Sequence, residues 1–169
     1  MSTVNTFTIT SATPADTEKL KQLAVDNQMF TPEEVGVFDE MLDGFFSGEM
    51  EGHQWLVAAS ADTPDQIAAG AYFAPEPFSD RMWNLYFIAT DPDQQGAGAG
   101  SAMIADIEAK LRAMGEDAAR TLIVDTSSTD GYADARAFYL GRGFVEEATI
   151  RDFYGPGDNK VTFWKSLVA

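Results

Sequence analysis

Gly96, Gly98 and Gly100 alternate within DPDQQGAGAGSAMIADIE (Asp91–Glu108), where a strand-like run gives way to a helical one. Glycine stands at such a point for one of two reasons. Either the backbone needs a turn closed to other residues, or something must approach it closely. The first turn of a helix leaves backbone N–H groups without partners and carries partial positive charge. A phosphate or pyrophosphate is the usual occupant. The spacing predicts a strand ending near Thr90, a loop, and a helix beginning about Gly98.

Two phosphate-binding patterns compete for this loop. A Walker A loop needs Gly-Lys-Ser/Thr, but Gly100 leads directly to Ser101 without a lysine. A dinucleotide fingerprint would use Gly96 and Gly98 but would find Ser101 in its third glycine position. Asp125 ends a later strand where a ribose-binding acid could stand. Against that, DPDQQ lengthens a turn that should be tight, and three strands precede it.

Composition narrows the remaining chemistry. With no cysteine and one histidine, His53, neither a thiolate nor a histidine metal cluster is expected, and His53 reads as structural. The net charge of −16 comes from 27 acidic and 11 basic residues. Its field repels phosphates, so nucleic acid and anionic membranes are poor partners, whereas a cationic substrate is attracted. An acidic surface serves solubility first. MSTVNTFTIT lacks signal-peptide features, and no apolar run approaches the roughly 20 residues that cross a bilayer. A soluble, cytoplasmic protein is expected.

The elements that position the loop alternate between strand and helix, which predicts one α/β layered domain over residues 1–169. FTIT is a short strand. Thr13-Pro14 with Asp16, and Thr31-Pro32 with Glu34, are helix starts. The second helix aligns Val35, Phe38, Met41, Leu42 and Phe45 on one face. HQWLVAAS, QIAAGAYFA and MWNLYFIAT follow as strands. After the glycines, Met103, Ile104, Ile107, Leu111 and Met114 form an apolar stripe, with Asp106–Lys110 and Glu108–Arg112 as outer pairs. TLIVD is a strand and ADARAFYLG a helix stopped by Gly141 and Gly143. FVEEATIRDFY and KVTFWKSL are strands joined by GPGDN. The order is β α α β β β α β α β β.

DPDQQGAGAGSAMI resembles the Q/R-x-x-G-x-G/A signature of the GNAT acetyltransferases, with Gln95, Gly98 and Gly100 at its fixed places. RAFYLGRGF is similar to a later segment of that family, through Phe138, Tyr139, Gly143 and Phe144. The resemblance spans nearly the whole chain. It implies a GNAT-type acyl-CoA N-acyltransferase fold: a central mixed, mostly antiparallel sheet flanked by helices.

The resemblance also implies acetyl-CoA as co-substrate, no metal, and transfer of acetyl to an amine. Gln95, Gly96, Ala97, Gly98, Ala99, Gly100 and Ser101 would cradle the CoA pyrophosphate. Ile88, Ala89 and Thr90 would pair with pantetheine and polarise the thioester carbonyl. Tyr139 would be the general acid to the leaving thiolate. The chain departs from the family twice. No acid stands in MWNLYFIAT, where Asn84 or Tyr86 occupies the region of the usual glutamate, and Tyr132 replaces a usual asparagine. Either deprotonation runs through water to Glu76, Glu49 or Asp152, or the amine arrives neutral, and no residue is named as the base. Ser127 or Ser128 could replace the lost asparagine contact. Arg136 and Arg142 are candidates for phosphate contact and read first as surface charges.

For the acceptor, Phe45, Phe46, Phe153 and Tyr154 are candidate groove walls and Asp152 and Asp158 candidate cation partners. They suit a small amine or a basic peptide end. The alternative function is a non-catalytic acyl-CoA-binding or sensing domain on the same fold. The final strand, expected to be exposed, could form a homodimer.

Overall fold

A computed structural model of the chain describes residues 6–168. Residues 1–5, half of the amino-terminal stretch read for signal features, lie outside the described residues, as does Ala169.

Seven strands and four α-helices alternate in the order expected from sequence. The strands are β1 (Phe7–Ser11), β2 (Gln54–Ser60), β3 (Ile67–Pro75), β4 (Met82–Thr90), β5 (Thr121–Ser127), β6 (Val145–Gly155) and β7 (Asp158–Ser166). The helices are α1 (Thr17–Asp26), α2 (Val37–Phe46), α3 (Ala99–Ala113) and α4 (Ala133–Gly141). One seven-stranded sheet has the order β1-β2-β3-β4-β5-β7-β6. β1–β2, β2–β3, β5–β7 and β6–β7 are antiparallel, and β4–β5 is parallel. This is the mixed, mostly antiparallel sheet that the resemblance implies.

The chain packs as two compact units, 1–74 with 87–107, and 75–86 with 108–169. In unit one both helix starts behave as expected. The Thr31 amide donates to Glu34 Oε2 (2.9 Å) while the Glu34 amide donates to Thr31 Oγ1 (3.2 Å), a reciprocal cap. Asp16 Oδ2 accepts from the Thr13 amide at 2.8 Å. A short 3-10 turn precedes each helix, so α1 and α2 begin at Thr17 and Val37.

The expected face of α2 is the buried one. Phe38 sits at the centre of an aromatic cluster, edge-on to Phe30, Trp55 and Phe87 with centroids 5.2–5.3 Å apart. Such pairs add to the free energy of burying their area. Phe45 and Phe46 pack against this core, so their surface is largely committed to the fold.

β3 passes close to α1 at Gly70. A Cβ there would stand 2.4 Å from Leu20 Cδ2 and 3.3 Å from Leu23 Cδ1, and both leucines are fully buried. Gly70→Ala is therefore expected to lower stability by about 1–3 kcal/mol through overpacking. The urea midpoint should fall with an unchanged slope, and an unchanged midpoint would refute the tight contact.

Unit two corrects the expectation for the chain's end. β7 lies between β5 and β6, so the final strand is interior and β6 is the exposed edge. Val161 and Phe163 are buried, and Trp164 is half-buried. α3 ends at Ala113, and Met114, expected in its apolar stripe, is 49% exposed because Gly115 (φ +87°) turns the chain. Glu108 is not an outer residue either. It is buried, with Lys165 Nζ at 2.7 Å and Arg112 at 3.3 Å.

Candidate functional site

The glycine loop is anchored within unit one before the glycines begin. The Asp91 amide donates to the Ala68 carbonyl (2.8 Å), and the Asp91 carboxylate accepts from Lys19 Nζ (2.6 Å) and the Asp93 amide (2.9 Å). These partners hold its carboxyl below the ordinary range, the Lys19 hydrogen bond contributing most. Pro92–Gln94 form a 3-10 turn, and Gln95 is extended. Gly96 and Gly98 then take φ of +81° and +96°, values open to glycine and costly for a side chain.

The first of the two reasons for glycine therefore holds at these two positions, and the space that the second requires is open. The turn requires the left-handed backbone, and a Cβ at either residue would meet no protein atom within 4 Å. Among the described residues nothing else in the chain fills the space beside these two glycines. The Ala102 amide donates to Gly98 O at 3.0 Å, which makes Gly98 the cap. The amides of Ala99, Gly100 and Ser101 thus form a first turn without intrahelical acceptors. This arrangement fits a phosphate group, held by amides and the dipole of a 15-residue helix.

Ile88, Ala89 and Thr90 lie at the end of β4. The β4–β5 register runs from Met82–Thr121 to Leu85–Val124, so these three residues lie beyond it. The Thr90 carbonyl accepts from Asn27 Nδ2 at 3.0 Å. Neither this bond nor the Lys19–Asp91 pair could be found from sequence, since the partners stand 63 and 72 residues apart.

Tyr139 belongs to unit two, on α4, and is buried. Its ring packs against Phe138 (5.5 Å), Phe163 (5.6 Å) and Phe144 (6.0 Å). Burial, with the nearby Tyr154 phenol second, pushes its pKa well above that of an ordinary phenol. Among the described residues its hydroxyl has no hydrogen-bond partner.

The secondary candidates are largely engaged elsewhere. Arg136 Nη1 donates to the carbonyls of Ser127 (2.7 Å) and Thr129 (2.8 Å), a structural use rather than a free anion site. Ser127 donates to Asp158 Oδ1 at 2.5 Å, and Ser128 Oγ accepts from the Asn159 amide at 2.9 Å. His53 Nδ1 pairs with the Tyr72 hydroxyl, and burial lowers its pKa, in line with the structural reading. Asp152, at φ +56°, accepts from the Gly157 amide and shapes the β6–β7 hairpin. Phe153 and Tyr154 are 55% and 48% exposed on β6.

What the sequence reading left apart is one cluster in unit two. Glu76 accepts from Asn84 Nδ2 (2.9 Å) and from the Tyr86 hydroxyl (2.6 Å), the two residues standing where the family's strand acid was sought. Among the described residues no group of three or more His, Cys, Asp or Glu could hold a metal ion. No helix among them is long and apolar enough to cross a membrane.

Comparison with known proteins gives this geometry a family. Residues 51–146 match the model of the acetyltransferase (GNAT) domain. No curated protein matches the sequence significantly. Among solved structures, a protein from Desulfovibrio desulfuricans assigned to the GNAT family of acetyltransferases is 29% identical, with a TM-score of 0.84 over 96% of this chain and 100% of that one. A Salmonella typhimurium protein solved with its cofactor acetyl-CoA is 16% identical, with a TM-score of 0.76 over 96% and 94%. An aminoglycoside 6'-N-acetyltransferase complexed with coenzyme A is 13% identical, with a TM-score of 0.73 over 96% and 98%. The matched residues hold both the glycine loop and Tyr139, and the chain belongs to the GNAT acetyltransferase family.

Proposed function

We propose that the protein is an N-acetyltransferase that moves acetyl from acetyl-CoA to a primary amine by direct attack of the neutral nitrogen on the thioester. The C–S bond breaks as the C–N bond forms, and the nitrogen's surplus proton passes to water. The single observation that carries this reading is the loop itself. Two left-handed glycines open a helix N-terminus onto space free of protein, in a chain of this family. Coenzyme A supplies a good leaving group and an anchor, and the chain's residues do the rest. The amides from Gln95 to Ser101 hold the pyrophosphate. The backbone of Ile88, Ala89 and Thr90 aligns pantetheine and orients the carbonyl. Tyr139 donates a hydrogen bond to the sulfur as it departs.

The acceptor class is a small amine or a basic peptide end rather than nucleic acid, and the compartment is the cytoplasm. A homodimer belongs to the same proposal, with the β6 edge now the strand exposed for it in place of β7.

Calorimetric titration with acetyl-CoA, CoA and NADH, followed by thiol release across a panel of amines, tests this reading. Acetyl-CoA should bind at micromolar strength, NADH should be silent, and at least one amine should release CoA. Binding without release from any amine would favour the sensing domain. Binding of NADH alone would overturn the assignment.

The charge of the chain adds a further expected result. At −16 the protein repels coenzyme A at long range, so affinity must come from short-range amide contacts. Salt screens the repulsion more than it weakens the contacts, so affinity should rise roughly two- to fivefold between low and moderately high ionic strength. A steep fall with salt would point to a basic phosphate site elsewhere.

A further inference from the structure

Unit two holds a polar cluster that neither the glycine loop nor Tyr139 accounts for. Glu76, at the turn after β3, accepts hydrogen bonds from Tyr86 Oη and Asn84 Nδ2 of β4. The same Nδ2 stands 3.4 Å from Asp125 Oδ2 of β5. Asp125 Oδ1 in turn accepts from Thr162 Oγ1 of β7 at 2.5 Å. Two carboxylates therefore share one amide. Among the described residues neither has a lysine or arginine as an ion-pair partner.

Asn84 itself is unusual. It is 2% exposed, and its Oδ1 is buried without a partner. Turning the amide over would aim that oxygen at two carboxylates, so charge fixes its orientation. The cluster presents four carboxylate oxygens to three donor groups: Asn84 Nδ2, Tyr86 Oη and Thr162 Oγ1. It lacks donors and positive charge, a costly state for groups partly out of water.

The cluster is also reachable. Glu76 and Asp125 are half-buried, and Tyr86 is 45% exposed. Tyr154, 48% exposed, has its phenol pushed up to about 12, first by burial and then by the charges of Asp125 and Asp158. A ligand reaching the cluster meets two half-exposed tyrosines and two half-buried carboxylates. A metal ion is a poor fit, because the shared amide turns its NH2 rather than its oxygen to the carboxylates, and among the described residues no group of three or more His, Cys, Asp or Glu could hold one. A primary ammonium brings one positive charge and three N–H donors, which is what the cluster is short of.

We propose that Glu76 and Asp125, held by Asn84, form the binding site for the ammonium group of a primary amine. The proposal rests on the N-acetyltransferase reading for its biological meaning, since that amine, once it has lost one proton to water, is then the acetyl acceptor. The site itself can be tested without turnover. The Asn84 side-chain amide is its reporter, because it touches both carboxylates.

The test is an NMR titration of isotopically labelled full-length protein with n-butylamine, and with 1-butanol as the neutral match. The Asn84 amide resonances should move saturably with the amine and stay still with the alcohol. Glu76→Gln should weaken the amine at least about tenfold by removing a charged acceptor. Asp125→Asn, on a different strand, should weaken it similarly, and thermal melting of each variant checks that it folds.

An Asn84 signal unmoved by the amine would overturn the site. So would equal amine affinity in wild type and both folded variants. Saturable movement without acetylation of any amine would leave the site standing and the enzyme reading refuted. Acetylation with an amine KM unchanged in Glu76→Gln would do the reverse.

Discussion

Gly98→Asp is expected to weaken acetyl-CoA binding by 100-fold or more, while leaving a folded protein. Gly98 has φ +96°, and a left-handed backbone costs an aspartate about 1–2 kcal/mol at most. No protein atom lies within 4 Å of the position its Cβ would take, so no overlap adds to that cost. The effect on the ligand is much larger. The new carboxylate would stand in front of the amides of Ala99, Gly100 and Ser101, where it satisfies them itself and repels a pyrophosphate. Losing two charge-assisted hydrogen bonds at about 1.5–3 kcal/mol each corresponds to at least a 100-fold loss of affinity. Gly98→Ala carries the strain without the charge and should lose much less. Calorimetry on the two variants separates the causes. Undiminished affinity in Gly98→Asp would show that the loop does not hold the phosphates.

Much of this frame was legible because local signals agreed. β4 spans Met82–Thr90 and α4 spans Ala133–Gly141, as the apolar pattern and flanking breakers require. The left-handed turn at Gly96 and Gly98 was legible because glycines cluster where a strand-like run meets a helical one. Sheet order was harder to read, since GPGDN implies a hairpin but not which strand turns inward. The answer lay in side-chain charge. β6 carries Glu146, Glu147, Arg151 and Asp152 across both faces, as suits an edge, whereas β7 buries Val161 and Phe163. Glu108 was misplaced for a related reason: helical spacing marked it as a partner of Arg112, but not that Lys165 from β7 would join it in the interior.

The polar cluster was legible only in pieces. Glu76, Asn84, Tyr86 and Asp125 each drew notice in sequence for separate reasons. Their union depends on parallel pairing of β4 with β5, which sets Asn84 opposite Ile123. It also depends on the turn from β3 into β4 that sets Glu76 beside β4, closed by the Glu76 amide donating to Met82 O at 2.8 Å. Side-chain partnerships across a sheet follow register, and register is set by the whole fold rather than by any one strand.

Tyr139→Phe is expected to lower kcat about 10- to 100-fold with little change in the KM for acetyl-CoA, the signature of a hydrogen bond made mainly in the transition state. The magnitude follows from what a buried phenol can do. An ordinary phenol ionises near 10 and a thiol near 8.5, so full transfer of the proton to the leaving sulfur is uphill by about 2 kcal/mol. Burial raises the Tyr139 phenol further, so transfer becomes still less favourable. In the proposed mechanism Tyr139 would therefore serve as a hydrogen-bond donor to a sulfur that leaves as thiolate. The raised pKa keeps the donor protonated at every working pH. The pH profile of kcat should accordingly have no descending limb from Tyr139 below about pH 10, and the variant should keep the wild-type profile at a lower level. Stability should hardly move, because the ring stays packed against Phe144 and Phe163 and the hydroxyl gives up no partner among the described residues. Turnover equal to wild type would remove Tyr139 from the chemistry. An alkaline limb present in wild type and absent from the variant would restore full proton transfer and overturn the donor role.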